Sequence, residues 1–272
     1  MTEVLIKPYK GPGVNSLREL WAYRELLFFL AWRNIKVRYS QAVIGVLWVV
    51  IQPLMAMLIF AVIFGKFAGL PSGGAPYTVF VFSALLPWNL FANSVSGAGA
   101  SLIANRALIT KIYFPRIIVP MAEVVENMVD FMISGLIMLC LMLLYGILPT
   151  GKIFAVPFLF LWLVMLTLGV GFWVSAVNAR YRDVNYAVPF LMQAWLYLSP
   201  VAYSLSLVPQ KWHKLYSLNP MVGVIESFRW AFLGNDCGLP GIIPYSLAIT
   251  IFVFITGFFY FCRVEKDLSD VI

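Results

Sequence analysis

Long uncharged apolar segments alternate with short polar ones along this chain of 272 residues. A helix rises 1.5 Å per residue, so about 20 apolar residues are needed to cross a hydrocarbon core of ~30 Å. Backbone polar groups in lipid must bond within their own segment, which favours helices. The pattern therefore predicts an all-α polytopic membrane protein with transmembrane helices at about 41–65, 77–105, 121–147, 153–179, 184–204 and 241–262.

A further helix is predicted before the first span, over residues 16–39. Ser16 and Glu19 fit a capping box, in which the two side chains satisfy the first free amides of a helix. Apolar residues then recur on one face and charged residues on the other, as in a helix that lies on the cytoplasmic membrane surface. Such a helix either carries a functional surface or is only a membrane anchor. The predicted apolar face consists of Leu17, Leu20, Trp21, Phe28, Ala31 and Ile35.

The segment 200–240 differs from an ordinary loop. Residues 200–203 end the fifth span, and 219–230 are amphipathic but too short and too polar to cross a membrane. We expect re-entrant or interfacial half-helices on the external side. Glu226 and Arg229 are three residues apart and are therefore placed to form an ion pair. That pair either shapes an exit or only stabilises its helix.

Composition and charge narrow the class of protein. Hydrophobic residues make up 62% of the chain and charged residues only 11%, which excludes a soluble fold. Six helices with short loops leave little room for anything else, so we expect a single domain over 1–272. The polar N-terminus predicts no cleaved signal peptide.

The positive charges predict the topology. Of the 19 lysines and arginines, 14 fall before the first span, in the even-numbered connections or after the last span. The positive-inside rule then places both termini in the cytoplasm. The net charge of +7 is therefore a topology signal with anionic lipid as its counter-charge, and nucleic acid is not an expected partner.

Acidic residues at the start of the third span share one helical face. Glu123, Glu126 and Asp130 are spaced i, i+3 and i+7. Ionisable groups inside a membrane usually face protein or water. They form either a proton or cation site or, as we favour, ion pairs near the interface, with only Asp130 lying deep. The candidate ion-pair partners are Arg106, Arg116 and Arg180.

The loop between the second and third spans is unusually apolar. An exposed apolar patch usually marks contact with a partner or a membrane. Pro115 and Pro120 would end helices on either side of this loop. The side chains expected to be exposed unless something covers them are Leu108, Ile109, Ile112, Tyr113 and Phe114.

Residues for catalysis or cofactor binding are scarce. His213 is the only histidine, and no cluster has metal-ligand spacing. The segment 146–153 matches GxxxxGK, but Ile153 stands where a phosphate-binding loop needs Ser or Thr. We expect no cofactor, metal or catalytic site in this chain. Cys140, Cys237 and Cys262 are predicted to be free thiols.

Several ordered segments resemble the membrane subunits of type-two ABC exporters, specifically the polysaccharide and teichoic-acid export permeases. The resemblance extends over about residues 17–262, and the joint order and spacing of the segments make it specific. The segments are KVRYSQ at 36–41, GVLW at 45–48, QP at 52–53, LITKIYFPR at 108–116, YRDV at 181–184, LSPVAY at 198–203, NP at 219–220, IE at 225–226 and FR at 228–229.

The resemblance implies a homodimer bound to two copies of a separate nucleotide-binding subunit, which would hold ATP and magnesium. The loop after the second span would be the coupling helix, with the turn after the fourth span as a second contact. The implied coupling residues are Leu108, Ile109, Lys111, Ile112, Tyr113, Phe114, Arg180, Arg182 and Asp183.

The resemblance also implies a route for the substrate. The N-terminal helix would line a lipid-diphosphate entrance with Arg33, Lys36, Arg38 and Tyr39, since guanidinium and ammonium groups pair with phosphates. Spans one and five would line a channel on which sugar rings stack. The implied channel residues are Trp48, Gln52, Ile59, Phe60, Phe190, Trp195, Tyr197 and Tyr203, and the implied external gate is Asn219, Pro220, Glu226 and Arg229.

The expected function is that of the transmembrane subunit of an ATP-driven exporter in the bacterial inner membrane. It would move a lipid-linked, O-antigen-like polysaccharide to the outer face, and substitution of Tyr113 or Phe114 by Asp should uncouple it. Alternatives are export of teichoic acid or small hydrophobic drugs, and proton-coupled transport through Glu123, Glu126 and Asp130. A membrane-embedded enzyme acting on lipid-linked sugars is the least favoured alternative.

Overall fold

The structure is a computed structural model that describes residues 20–40, 47–181, 183–234 and 239–265. Within these ranges the regular elements are helices and no strand is present, which confirms the predicted all-α fold class. The α-helices are α1 (Arg24–Ser40), α2 (Leu47–Phe60), α3 (Tyr77–Ala104), α4 (Arg106–Ile109), α5 (Ile118–Leu144), α6 (Val156–Arg180), α7 (Val184–Tyr197), α8 (His213–Tyr216), α9 (Pro220–Leu233) and α10 (Leu239–Val264).

Among the described residues, five helical segments are long and apolar enough to cross a membrane. They coincide with the first, second, third, fourth and sixth predicted spans. The first continues beyond α2 as a π-helical turn at Ala61–Phe67. The segments are Leu47–Phe67, Tyr77–Ala104, Ile118–Leu144, Gly151–Arg180 and Gly241–Val264.

The predicted fifth span, 184–204, is shorter than expected. Helix α7 has 14 residues, which corresponds to a length of about 21 Å at 1.5 Å per residue. The chain then turns, with the amide of Val201 donating to the carbonyl of Ser199 over 2.7 Å. Because α7 alone falls short of a hydrocarbon core, the count of six spans stays a prediction.

The two ends of the helix bundle differ in their elements and charges. One end, called the basic end below, carries α1, α4, the loop after α4, the α6–α7 turn and the end of α10. Its core packs Leu30 and Ala31 of α1 against Phe114, Phe172 and Phe261. The other end, called the opposite end, carries the 3₁₀ turn Gly151–Ala155 and α9, which contact each other. The predicted basic residues that fall within the described ranges therefore lie at the basic end, and its cytoplasmic orientation stays a prediction.

Helix α3 is the central helix of the bundle. Most of its residues are buried, and it packs against α2, α5, α6, α7 and α9. The main core surrounds it, with Phe82 and Phe91 of α3 against Leu163 and Leu166 of α6 and Phe228 of α9. Helix α2, in contrast, is mostly exposed within the single chain, so its apolar side chains are available to lipid or to another chain.

Helix α9 is more buried than the amphipathic pattern of residues 219–230 suggested. We expected re-entrant or interfacial half-helices, and α9 is a short helix in which nearly all side chains from Pro220 to Phe232 are buried, the charged ones included. Its burial argues against a purely interfacial position, and a re-entrant position stays a prediction. The helix is enclosed by α3, α6 and α10. The half-polar sequence pattern arises because Glu226 and Arg229 satisfy each other inside the protein. Gly234 then ends the helix in the left-handed conformation, at φ 75°.

Helix α1 is present, but its faces differ from the prediction. Leu30 and Ala31 are buried against the core of the basic end, whereas Trp21 and Phe28, which we placed on the same apolar face as Ala31, are largely exposed. The helix packs against α5, whose first turns carry carboxylates. Its inward side therefore includes polar side chains that a purely lipid-facing helix would not bury.

Some sequence predictions fall outside the described residues. These are the capping box of Ser16 and Glu19, the first residues of the first predicted span (41–46), and the side chains of Leu17, Arg182 and Cys237. Of the other two cysteines, Cys140 is an exposed free thiol as predicted, and Cys262 is buried.

Candidate functional site

A polar cavity of about 440 Å³ lies between α1, α2, α3 and α5. A narrower pocket of about 40 Å³ shares Val49, Gln52, Asn93 and Asp130 with it and runs on between α2, α3 and α5. The larger cavity combines two aromatic side chains and one aliphatic side chain with charged and uncharged polar ones. Its lining is Arg38, Tyr39, Trp48, Val49, Gln52, Asn93, Ser96 and Asp130.

Charged side chains of α1 and α5 form one wall of this cavity. Arg38 Nη2 lies 2.6 Å from Glu126 Oε1, and Nη1 of the same guanidinium lies 2.9 Å from Asp130 Oδ2. The Tyr39 hydroxyl donates to the second oxygen of Asp130. Burial and this hydrogen bond raise the pKa of the Tyr39 phenol above its usual value, so the hydroxyl keeps its proton and acts as the donor.

The carboxylates of α5 confirm the predicted ion pairing but with a different partner. We expected Arg106, Arg116 or Arg180, and the partner of Glu126 and Asp130 is Arg38, because α1 lies across this face of α5. Glu123 accepts a hydrogen bond from Asn34 Nδ2 over 3.1 Å.

The prediction that only Asp130 lies deep in the membrane stays a prediction, whereas the structure shows how far the protein itself covers these carboxylates. The Glu126 side chain is the more buried of the two that pair with Arg38, with 5% of its surface exposed against 23% for Asp130. Covering by α1, rather than distance along α5, decides this burial. Across the described residues, no group of three or more His, Cys, Asp or Glu side chains is arranged to hold a metal ion.

The residues proposed for a lipid-diphosphate entrance do not form one cationic patch. Arg33 donates to Asn34 Oδ1 over 2.9 Å and to Asn105 Oδ1 over 2.7 Å, which links α1 to the end of α3. Arg38 and Tyr39 are held by α5, and Lys36 is exposed. A role of these residues in phosphate binding stays a prediction. To bind a phosphate, Arg38 would have to leave the carboxylates of Glu126 and Asp130.

The apolar loop after α3, which covers residues 105–116 and includes the single turn of α4, is only partly exposed. Lys111, Ile112 and Tyr113 are exposed, the last at 67% of its surface. Ile109 and Phe114 are instead buried, with Phe114 at 4% exposed. This corrects the prediction that all five apolar side chains of the loop are exposed, because the loop folds back and two of them complete the core of the basic end. Leu108 is half-buried, and Arg180 and Asp183 of the neighbouring turn are exposed.

The loop is anchored on a rigid base. The Arg116 amide donates to Glu265 Oε1 over 2.7 Å, and Arg116 Nη1 donates to the carbonyl of the same residue over 2.8 Å. Phe114 packs in the same cluster as Leu30 of α1 and Phe261 of α10. A force on the exposed tip at Ile112 and Tyr113 would therefore be transmitted to α1 and α10 together.

The predicted channel residues occupy two kinds of surroundings. Trp48 and Gln52 line the polar cavity, and Ile59, Phe190 and Tyr197 are exposed. Phe60 is half-buried and packs against the main core. Trp195 and Tyr203 are half-buried and bonded within the chain, Trp195 to Asn219 and Tyr203 to the hydroxyl of Tyr216. A channel role stays a prediction for all eight.

Asn219 connects the segments at the opposite end. Its side-chain oxygen accepts from the Met221 amide over 3.1 Å, which caps α9, and from Trp195 Nε1 of α7 over 2.9 Å. Its amide nitrogen donates to Ser199 Oγ over 3.0 Å. Pro220 occupies the first helical turn, where its missing N–H is harmless. Asn219 therefore fixes α7, the turn after it and the start of α9.

The predicted ion pair of Glu226 and Arg229 is confirmed, and it is buried. Arg229 Nη1 lies 2.7 Å from Glu226 Oε1, with the two side chains 4% and 2% exposed. Burial raises the pKa of Glu226, and the adjacent guanidinium works in the opposite direction. Arg229 also donates to the carbonyls of Val201 and Tyr203 and lies 3.8 Å from the centre of the Phe80 ring. It thereby ties α9 to α3 and to the turn after α7.

Sequence reasoning missed the polar side chains that α3 contributes to the site. Asn89, Asn93 and Ser96 line the cavity or its narrow extension. Their spacing of i, i+4 and i+7 puts them on one helical face of an otherwise apolar span. That spacing was a readable signal. The place of Phe80 beneath Arg229 had no such signal, because α3 is rich in aromatic residues.

Comparison with known proteins gives this arrangement a context. The sequence profile of the ABC-2 type transporter family matches residues 25–233. The O-antigen export system permease protein RfbA of Myxococcus xanthus is 33% identical over 221 residues, which cover 80% of this chain and 84% of that protein. A Klebsiella pneumoniae protein of the same name is 29% identical over 250 residues, or 91% of this chain and 95% of that protein.

More distant relatives extend the similarity. The polysialic acid transport protein KpsM of Escherichia coli is 23% identical over 231 residues, which cover 82% of this chain and 85% of that protein. The family match includes α1, the polar cavity, the anchored loop and the buried pair of α9. Because that match spans most of the chain, the protein is a multi-pass membrane permease that belongs to the ABC-2 type transporter family.

Proposed function

We propose that this chain is the transmembrane subunit of an exporter that moves a lipid-linked polysaccharide from the cytoplasmic to the outer face of the bacterial inner membrane. Two copies of the chain would form the permease, with both termini in the cytoplasm. Two copies of a separate nucleotide-binding subunit would bind ATP and magnesium and hydrolyse the ATP.

One observation carries the choice of cargo. The relatives that share 28–33% identity over most of the chain are named O-antigen export system permease proteins. Because these relatives match 80–91% of the chain, a shared class of cargo is the simplest inference. The polar cavity between α1, α2, α3 and α5 supports it, because a hydrophobic drug would not need this many polar groups.

The structure of the basic end supports a partner subunit. Ile112 and Tyr113 form an exposed apolar tip, with 56% and 67% of their surfaces exposed, and Lys111 stands beside them. Aromatic and aliphatic side chains on a well-anchored base are typical of protein contact surfaces. Arg180 and Asp183 of the neighbouring turn extend this surface.

The first experiment is to extract the tagged full-length chain gently from its native membrane and to identify what accompanies it. We expect an ABC-type ATPase in equal amount and ATP hydrolysis by the complex. Tyr113→Asp should lower both the recovered ATPase and the surface polysaccharide at normal expression of the permease. Tyr145→Asp, an equally polar change at the opposite end of α5, is the matched control and should leave both unchanged.

The outcomes separate the proposal from its rivals. If the permease comes out alone and transport survives ATP depletion, the ATP-driven mechanism is wrong. If an ATPase is present but removal of the permease leaves surface polysaccharide intact and raises sensitivity to hydrophobic drugs, the cargo is wrong. Accumulation of teichoic acid inside the cell would identify the third class of cargo.

A further inference from the structure

Polar side chains are exposed at membrane depth on the walls of the cavity. Asn93 lies near the middle of α3, about 24 Å from Tyr77 at 1.5 Å per residue, and its side chain is exposed. Gln52 of α2 is also exposed, inside a helical segment of 21 residues that is otherwise strongly apolar. Amide groups in contact with hydrocarbon would each lose their hydrogen bonds. These two side chains therefore face water, a polar ligand or polar groups of another chain.

The charges in the cavity leave no surplus positive charge. The guanidinium of Arg38 is the cation of the lining, and it already faces the carboxylates of Glu126 and Asp130. Whether or not Glu126 carries a proton, the single positive charge is balanced. On α1, Arg33 is directed to Asn105 and Lys36 lies two residues from Arg38, on another side of the helix.

Groups further along the packed elements do not change this balance. Glu123 of α5 adds another carboxylate behind the wall, bonded to Asn34. Helices α2 and α3 contribute amides, a hydroxyl and an indole to the cavity, all uncharged. In the described lining, a ligand with a carboxylate or phosphate would add a third acidic group beside Glu126 and Asp130, with the one guanidinium of Arg38 to offset all three. This crowding of like charges selects against such a ligand.

The remaining groups match an uncharged polyol. Gln52 and Asn93 each offer a donor and an acceptor, Ser96 offers a hydroxyl, and Asp130 accepts from hydroxyl groups. Trp48, with 55% of its surface exposed, presents a flat apolar face for the C–H side of a sugar ring. The volume of about 440 Å³ is that of a site for a small molecule rather than for a single ion.

We propose that this cavity binds uncharged sugar residues of the transported chain and disfavours acidic ones. Trp48 supplies the stacking face, Gln52, Asn93 and Ser96 bond the ring hydroxyls, and Asp130 excludes anionic substituents. The inference rests on the proposed function, because it names the class of sugar that the exporter accepts. It also assigns the carboxylates of α5 a role in selectivity in addition to their bonds with Arg38.

The test uses a cysteine inside the cavity of the full-length chain. Asn93→Cys is made in a background of Cys140→Ser, Cys237→Ser and Cys262→Ser, and the protein is placed in nanodiscs of neutral lipid. Modification rates are measured with a cationic and an anionic methanethiosulfonate reagent. Each rate is divided by the rate at which the same reagent modifies a small free thiol. We expect the cationic reagent to react about tenfold faster, because a nearby carboxylate acts on the two reagents with opposite sign.

Ligand class is tested by protection of the same thiol. A neutral mannose trisaccharide should slow the modification of Asn93→Cys about threefold or more, since the bound ring occupies the space in front of the thiol. A sialic acid trimer at the same concentration should not. Ile112→Cys, exposed on the loop at the basic end, is the control and should be protected by neither. Ser96→Cys repeats the measurement if the first variant does not fold.

Each result bears on the proposal. Equal or faster modification by the anionic reagent, or protection by the sialic acid trimer, overturns the selectivity for uncharged sugars. Absence of any modification, or of protection by the neutral trisaccharide, overturns the assignment of a sugar site and indicates that another chain or protein groups fill the cavity. None of these outcomes requires the ATPase, so failure here is distinct from failure of the proposed function, which copurification and export measure.

Discussion

Removal of Arg229 should destabilise the protein more than removal of any exposed arginine. The Glu226 side chain is 2% exposed, so Arg229→Met leaves a buried carboxylate without its partner. Breaking a buried ion pair in this way typically costs about 3–5 kcal/mol. The carbonyls of Val201 and Tyr203 lose their donors as well, and each unsatisfied buried group costs about 1–3 kcal/mol. We therefore expect a loss of at least about 4 kcal/mol in the free energy of unfolding.

The matched variants separate the charge from the packing. Glu226→Met together with Arg229→Met removes both charges, and replacing a buried pair by apolar side chains is often close to neutral. The double variant should therefore be more stable than Arg229→Met alone, although the two carbonyls remain unsatisfied. Arg24→Met changes an exposed arginine of α1 and should fall within about 0.5 kcal/mol of the parent protein.

The assay is unfolding of the purified full-length chain in mixed micelles of rising SDS content, followed by tryptophan fluorescence. The free energies of the parent, both single variants and the double variant give the interaction energy between Glu226 and Arg229. A loss of less than about 1 kcal/mol for Arg229→Met would refute the reasoning. The reasoning would also be refuted if the loss of stability in the double variant equalled the sum of the losses in Glu226→Met and Arg229→Met, because the pair would then contribute no interaction energy.

Three further predictions concern the basic end and the cavity wall. Because Phe114 is only 4% exposed, Phe114→Asp should abolish recovery of folded permease instead of uncoupling it as the sequence alone predicted. Phe114→Leu should fold, and equal yields of the two variants would contradict the burial. Arg38→Met should lower the melting temperature, and the additional change Glu126→Gln should restore it. The decrease should be smaller than for Arg229→Met, because the Arg38 side chain is 41% exposed and solvent screens its charge. If Glu126→Gln does not restore the melting temperature, an unpaired carboxylate is excluded as the cause. Burial and a hydrogen bond raise the pKa of Tyr39 above its ordinary value of about 10. The folded state therefore retains the phenol proton more firmly than the unfolded state, so the stabilisation is complete below pH 10 and is lost as the pH rises beyond it. The melting temperature should fall over this alkaline range, and Tyr39→Phe should make the fall less steep. An unchanged slope would show that Tyr39 is not its source.

The acidic face of α5 shows where sequence reasoning stopped. The spacing of Glu123, Glu126 and Asp130 was enough to place them on one face and to favour ion pairing. It did not identify Arg38 as the partner, since that depends on where a separate helix crosses α5. Arg38 is 88 or more positions earlier in the chain, so no local periodicity relates the two.

The loop after α3 shows a second limit. Its apolar composition correctly indicated a surface with a purpose, and Ile112 and Tyr113 are exposed as expected. Composition did not separate these residues from Ile109 and Phe114, which are buried in the core of the basic end. Ile109 ends the single turn of α4, and the other three residues lie in an irregular loop. No sustained helical or strand period defines where these side chains point, so only the packed structure assigns each one to the core or to the surface.

The sequence by itself determined the all-α membrane class, the approximate position of five spans, the grouping of basic residues at one end and the ion pair of Glu226 with Arg229. Each of these follows from local hydrophobicity or from helical spacing, which act over a few residues. The tertiary structure alone decided that α9 is buried, that Arg38 pairs with α5 and that Gln52, Asn93 and Asp130 line one cavity. Those features come from the packing of helices that are distant in the chain, and many arrangements of such helices satisfy the same hydrophobic pattern.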